Sequence, residues 1–293
     1  MFTLHHVDSL DLSELSPYRT MRRPQAHCND GIFVAESEKV VRRLLESHFD
    51  VVSVLLPERW LATFEPLLAA RREEIPVFVV EKKELLESLI GFSMFQGVMA
   101  VGKIPSPMTL ETVLAESKSP RLLVAVDELS NAENLGVVVR NCVGFGVQAL
   151  IVGETSSSPY LRRAVRNSMG TIFQLPVVEL GRRTDPLDAN PKTRRRDAVR
   201  TETLVNALRA LRERGVRCIA AHPHTDRKTL SQADFKGDSC IVLGSEANGI
   251  SRPVLEMCDE AVAIPMPPTV DSLNVGSAAA VFLYEAIRQR GGM

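Results

Sequence analysis

Short apolar runs alternate with stretches of helical periodicity along the whole chain, and this alternation restricts the fold more than any other feature of the sequence. In the second half RLLVAVDEL, VQALIVG, IFQLPVVEL, VRCIAA and CIVLG read as strands. They lack an in–out alternation, so both faces must be covered, as in a parallel sheet packed between helices. NLGVVVRNCVGF, YLRRAVRNS, TLVNALRALRERG and the long SLNVGSAAAVFLYEAIRQR supply the helices. The first half repeats the pattern after a polar N-terminal arm. EKVVRRLLES, residues 60–72 and KKELLESLI read as helices, and VVSVLL, IPVFVV and QGVMAVGKIP as strands. The expected class is α/β with a parallel sheet.

With 293 residues the chain is long enough for two cores. The last strand of the first half runs into a Pro-rich connector, IPSPMT, followed by a short helix at ETVLAESK. This places one domain at 1–104, a linker at 105–120 and a second domain at 121–293. No apolar run reaches the ~18–20 residues of a membrane span. The opening MFTLHHVDSLDLSEL is acidic and lacks the basic-then-apolar order of a signal peptide, so the expected location is cytoplasmic, with no membrane partner. The five cysteines are scattered without a CxxC pair, which argues against a zinc site and against a disulfide framework.

A net charge of −1 gives no global attraction to nucleic acid, so any such binding must come from local patches. Arg19, Arg22 and Arg23 form one, Arg42 and Arg43 a second on a helix, and residues 181–200 a third. That third stretch, GRRTDPLDANPKTRRRDAVR, carries two prolines and no apolar periodicity, and is expected to be a mobile basic insertion. Solvated surface charge is the plain alternative for each patch.

Common nucleotide motifs are missing. There is no GxxxxGK[ST] loop and no GxSxG elbow, and Gly144-Phe145-Gly146 follows a helix instead of opening one, which makes it a helix stop. His222 and His224 flank Pro223 and read as loop histidines, and no metal is expected. What remains is three polar, glycine-containing segments at strand ends. They are Asn134-Leu135-Gly136 with Arg140, then Leu243 to Ile250 (LGSEANGI), then Ile264-Pro265-Met266 through Ser272-Leu273-Asn274. In this order they resemble the three signature motifs of the SpoU/TrmH methyltransferases, part of the SPOUT superfamily. Asn167-Ser168-Met169-Gly170 resembles a further stretch of that family, and FVAESEKVVRRLL with QGVMAV resembles the small ribosomal-protein-like α/β domain that precedes it in many members. Three departures stand out: Ser37 occupies a usual glycine position, Ala132-Glu133 replaces a frequent Asp-Pro, and the Arg-rich 181–200 insertion is not part of the common pattern.

The resemblance implies a sheet whose C-terminal segment threads a loop as a trefoil knot, a topology otherwise close to absent. It implies S-adenosylmethionine as cofactor, with Leu243, Gly244, Gly249, Ile264, Met266 and Leu273 as its contacts. The implied reaction is methylation of a ribose 2′-hydroxyl in ribosomal or transfer RNA. Arg140, Asn134, Glu246, Ser272 and Asn274 are the expected catalytic group, with Glu246 fixing Arg140 or Asn274 and with Ser272 a good N-cap for the last helix. A guanidinium stays protonated, so Arg140 is expected to stabilise the developing alkoxide and orient a phosphate, not to take the proton. Arg19, Arg22, Arg23, Arg42 and Arg43 are the expected RNA contacts. A homodimer is also implied, formed through a last-helix face of Ala278, Ala279, Ala280, Val281, Leu283, Tyr284 and Ile287. The rival from another class is a catalytically silent RNA-binding dimer that keeps the knotted fold.

Overall fold

The structure, a computed structural model, describes residues 1–21, 24–81, 83–90, 97–181, 203–223 and 228–292. Arg22, Arg23, His224 and the whole basic insertion after Gly181 lie outside the described residues. The chain forms two compact units, Met1–Pro105 with Pro159–Gln174, and Ser106–Ser158 with Leu175–Met293.

The first unit contains β1 (Phe2–Val7), α1 (Ser16–Arg19), α2 (Pro24–Asn29), β2 (Ile32–Glu36), α3 (Glu38–Glu46), β3 (Val51–Pro57), α4 (Leu61–Ala69), β4 (Ile75–Val80), α5 (Lys83–Ile90) and β5 (Met99–Lys103). Its sheet has the order β1-β4-β3-β5-β2. β1 and β3 run parallel to β4, while β5 is antiparallel to β3 and β2. The N-terminal arm is therefore an edge strand. Its side chains are mostly exposed, so backbone pairing with β4, not an apolar pattern, makes it one. α3 buries Val40, Val41, Leu44 and Leu45, one face of a helix. The residue before it, Ser37, has φ 92° and ψ 152° and makes no side-chain cap. That backbone region is open essentially to glycine alone.

The second unit continues with α6 (Leu110–Glu116), β6 (Leu122–Val126), α7 (Ala132–Gly144) and β7 (Ala149–Val152). The chain then contributes α8 (Arg162–Asn167) and a 3-10 turn at Thr171–Gln174 to the first unit. Tyr160 and Phe173 there pack on Phe33 and Phe49, with ring centroids 5.3–6.2 Å apart. Arg162 pairs with the buried Glu36 at 2.5 Å, and Arg43 donates to the Met169 carbonyl at 2.6 Å. The IFQLPVVEL run is thus not one strand. Ile172 and Phe173 are buried in the first unit, and the strand begins only after Pro176.

Back in the second unit come β8 (Val177–Glu179), α9 (Leu204–Glu213), β9 (Arg217–Ala221), β10 (Ser239–Leu243), α10 (Arg252–Glu256), β11 (Glu260–Val262) and α11 (Val275–Gln289). The sheet order is β11-β9-β10-β6-β7-β8, all parallel as expected. Leu123, Ala125, Cys218, Ala220, Cys240 and Val242 meet α9 residues Ala207, Leu208 and Leu211 in one apolar core. The C-terminal end of α11 is anchored by Arg290, whose guanidinium donates to the carbonyls of Pro120, Arg121, Phe235 and Gly237 at 2.8–2.9 Å. No described helix is long and apolar enough to cross a membrane.

Candidate active site

Parallel sheets leave their ligand crevices beyond the carboxyl ends of the strands. Beyond β9, β10 and β11 the second unit has a cavity of about 230 Å³. Its wall is largely the loop after β10. There Ser245 and Gly249 exchange two backbone hydrogen bonds of 2.9 Å each, which closes 245–249 into a tight ring. Gly244 lies so close to this ring that an ideal Cβ would fall well inside 3.0 Å of the Gly249 and Ile250 backbone, so no side chain fits. Leu243, Gly244, Gly249, Ile264, Met266 and Leu273 all line the cavity, as do Glu246 and Ser272. His222 lines it as well, a position that its reading as a plain loop histidine did not assign.

α7 begins at Asn131, whose side chain accepts from the N–H groups of Glu133 and Asn134 at 2.9 and 3.3 Å. This fixes Asn134 at the first turn. Its Nδ2 donates to Glu246 Oε1, and its Oδ1 accepts from Asn274 Nδ2 at 3.2 Å. Asn274 in turn caps α11 through Oδ1, which accepts from Gly276 N at 2.9 Å. The helix is therefore capped by Asn274 and not by Ser272, and the partner of Glu246 is Asn134. α7 and α11 approach closely. A Cβ on Gly276 would lie 2.5 Å from Val137 Cγ1, and Asn141 donates to the Gly276 carbonyl at 2.7 Å.

Arg140 is exposed on α7 and makes no hydrogen bond or ion pair among the described residues. Six residues beyond Asn134, it points roughly a third of a turn away from it, and it is not part of the cavity lining. Of the arginines expected to meet RNA, Arg19, Arg42 and Arg43 have local partners. Arg19 donates to the carbonyls of Leu10 and Leu12, Arg42 pairs with Glu38 at 2.8 Å and lies over the Phe64 ring, and Arg43 holds Met169.

Sequence reasoning overlooked Asp127. It follows β6, is 4% exposed, and accepts from Ser251 N at 2.7 Å. Burial raises its carboxyl above the usual carboxylate range. The Ser251 N–H and hydroxyl act against this, and the negative charges of Glu128 and Glu154 add to it. The only signal in the sequence was an acid directly after an apolar strand.

The SpoU rRNA Methylase family matches residues 121–195 and 189–284, which takes in every segment that builds the cavity. The chain belongs to this family. Relatives include an uncharacterized tRNA/rRNA methyltransferase of Mycobacterium tuberculosis, 28% identical over 97% of this chain and 94% of its own length. A 23S rRNA (guanosine-2′-O-)-methyltransferase of Shewanella oneidensis is 32% identical over 72% of this chain and 78% of its own. Among solved structures, the SpoU methyltransferase AviRb of Streptomyces viridochromogenes shares the fold with a TM-score of 0.72 at 23% identity, covering 94% of this chain and 97% of that one. An AdoMet-bound rRNA methyltransferase of Sinorhizobium meliloti does so with a TM-score of 0.75 at 19% identity, covering 97% and 98%.

Proposed function

We propose that this RNA methyltransferase transfers the methyl group of S-adenosylmethionine to a ribose 2′-hydroxyl, and that the cavity beyond β9, β10 and β11 receives the cofactor. The observation that carries the proposal is the Asn134–Glu246–Asn274 network, which ties the first motif, the β10 loop and the start of α11 together at the cavity. The lining suits such a group. Leu243, Ile264, Leu273 and Phe282 offer apolar surface for a flat base, the loop offers backbone groups, and Glu246 is the one carboxylate among the described lining residues, the right sign for a cationic cofactor. AviRb and the Sinorhizobium enzyme have both been solved with AdoMet.

Bound there, the cofactor would supply a sulfonium methyl as electrophile, so neither metal nor covalent intermediate is required. Asn134, held on both sides, orients Glu246 and Asn274 without further reorganisation. The harder step is loss of the hydroxyl proton. Arg140 remains a cation, so its part is to stabilise the developing alkoxide and hold a neighbouring phosphate, with phosphate or water taking the proton. Arg19, Arg22, Arg23, Arg42 and Arg43 of the first unit serve as phosphate contacts for RNA. The knotted threading of the C-terminal segment and a homodimer are part of the same reading. The dimer is supported by the outward face of α11, where Val281 and Tyr284 are exposed while Ala279 and Leu283 are buried in their own unit.

Incubation with labelled S-adenosylmethionine and unmethylated ribosomal and transfer RNA, followed by alkaline hydrolysis, tests the reaction. Label should remain in alkali-resistant dinucleotides. Label confined to bases refutes ribose methylation, and RNA binding without label would favour the catalytically silent dimer.

A further inference from the structure

We propose that Asp127 is a positioning residue that sets cofactor affinity by holding both ends of the loop 244–250. The inference rests on the reading that this loop lines the S-adenosylmethionine site.

Two contacts to one residue enclose the loop. At its start, the Asp127 N–H donates to the Leu243 carbonyl at 2.8 Å and so carries the pairing of β6 with β10 one residue past the strand end. At its finish, the Asp127 carboxylate accepts from Ser251 N at 2.7 Å. Between them lie the Ser245–Gly249 ring and the tight Gly244 contact, which leave the loop little internal freedom. Its position in the unit is therefore decided at its ends. The middle of the loop has one further tether, the hydrogen bond between Asn134 and Glu246, and this also leads back to the segment that Asp127 begins.

The choice of residue is informative. Asp127 is buried, has no cationic partner among the described residues, and has Glu128 and Glu154 as its charged neighbours. A buried carboxylate in such surroundings costs stability, and a well-packed apolar residue would make the core no weaker. What an apolar residue cannot do is accept the Ser251 N–H at the point where the loop must stop. Ser251 opens α10, so the same contact fixes where the loop ends and the helix begins.

Three variants of the full-length protein separate this role from its alternatives. Asp127→Leu keeps the number and branching of the side-chain heavy atoms and removes the acceptor. Asp127→Asn keeps an acceptor oxygen. Ser251→Pro removes the N–H, and the hydroxyl with it, while Asp127 stays, and the φ of −61° at Ser251 is proline's own. Calorimetric Kd for S-adenosylmethionine and steady-state KM and kcat are measured for each, with thermal unfolding as the check of folding. Asp127→Leu and Ser251→Pro should each raise Kd and KM for the cofactor about tenfold or more, the loss of at least the Ser251 N–H bond to a charged acceptor. Asp127→Asn should stay within about threefold of wild type, and kcat at saturating cofactor should change less than about threefold in all three. Wild-type affinity in a folded Asp127→Leu or Ser251→Pro protein overturns the proposal. So does equal impairment of Asp127→Leu and Asp127→Asn, or a fall in kcat with KM unchanged. Failure of the wild-type protein to bind S-adenosylmethionine would instead remove the cofactor reading itself.

Discussion

Replacing Gly244 by alanine tests the cavity wall at its least forgiving point. An ideal Cβ there lies well inside 3.0 Å of Gly249 C, Gly249 O and Ile250 N, all backbone atoms, whereas ordinary contact begins near 3.4 Å. No flexible side chain can yield, so the 249–250 backbone must retreat by the order of 1 Å, the response of an overpacked core. That displacement acts directly on the two 2.9 Å bonds between Ser245 and Gly249. Losing both costs about 1–3 kcal/mol, at a net 0.5–1.5 kcal/mol each, and the residual crowding costs about 1–3 kcal/mol more. If only the lower end, about 2 kcal/mol, is felt by the bound state, Kd for S-adenosylmethionine rises roughly 30-fold. Gly249 is the internal control. It has φ +68° and nothing within 4 Å of an added Cβ, so Gly249→Ala carries only the left-handed backbone cost of about 1–2 kcal/mol. Titration calorimetry on both variants, with thermal unfolding alongside, gives the comparison. A folded Gly244→Ala protein that binds the cofactor within threefold of wild type, or more tightly than Gly249→Ala, refutes the argument that this contact shapes the site.

Four further outcomes are expected. Arg140→Ala should lower kcat by about 10²-fold or more while Kd for the cofactor stays near wild type, because the side chain is exposed and outside the cavity lining; a variant that keeps most of its turnover contradicts the catalytic assignment. Ser37→Gly should stabilise the first unit by about 1–3 kcal/mol, since φ 92° strains serine and no cap is lost, and an unchanged or lowered unfolding midpoint would show that the strain is not felt. Tyr284→Glu with Val281→Glu should give monomers in light scattering if α11 is the dimer face; these two, 61% and 38% exposed, are the informative positions, whereas Ala279 at 0% would report only on its own core. Glu73 provides a pH signature. Burial acts to raise its carboxyl, but hydrogen bonds from Arg71 and from the N–H groups of Glu73 and Val51 outweigh it and hold the carboxyl down at about 2, against 4.5 ordinarily. Its contribution is therefore present above pH 4.5 and lost as pH falls towards 2, so the stability gap between wild type and Glu73→Gln should close over that window; a gap independent of pH would mean that the charge plays no part.

In the second unit β6, β7, β9 and β10 were legible because they are apolar on both faces, a pattern with few other uses, whereas the three-residue β11 was not read as a strand. β1 was not, since FTLHHV is held by ladder bonds to β4 that leave no mark on side-chain type. The run IFQLPVVEL misled because Ile172 and Phe173 are apolar for the sake of the first unit, and periodicity does not say which core a residue joins. At the site, the glycine and backbone positions of the β10 loop were found by motif. The pairing of Asn134 with Glu246 and the capping of α11 by Asn274 depend on how helices and loops meet, and Ser272 was an equally good cap by residue type. Asp127 left only a single acidic letter, which reads like any strand-end turn.

The excursion of residues 159–174 into the first unit has a consequence for how such a chain can be inherited. The polypeptide crosses between the units three times, near 105, 158 and 174, so no single breakpoint separates them. A recombinant that took a foreign N-terminal half at the Pro-rich connector would keep Arg162, Tyr160 and Phe173 but lose Glu36, Phe33 and Phe49, leaving an arginine without its buried carboxylate and two rings without their stack. Glu36 and Arg162 sit 126 positions apart in the sequence yet answer to each other like neighbours. Transplanting the first unit onto another catalytic half therefore means moving two segments together.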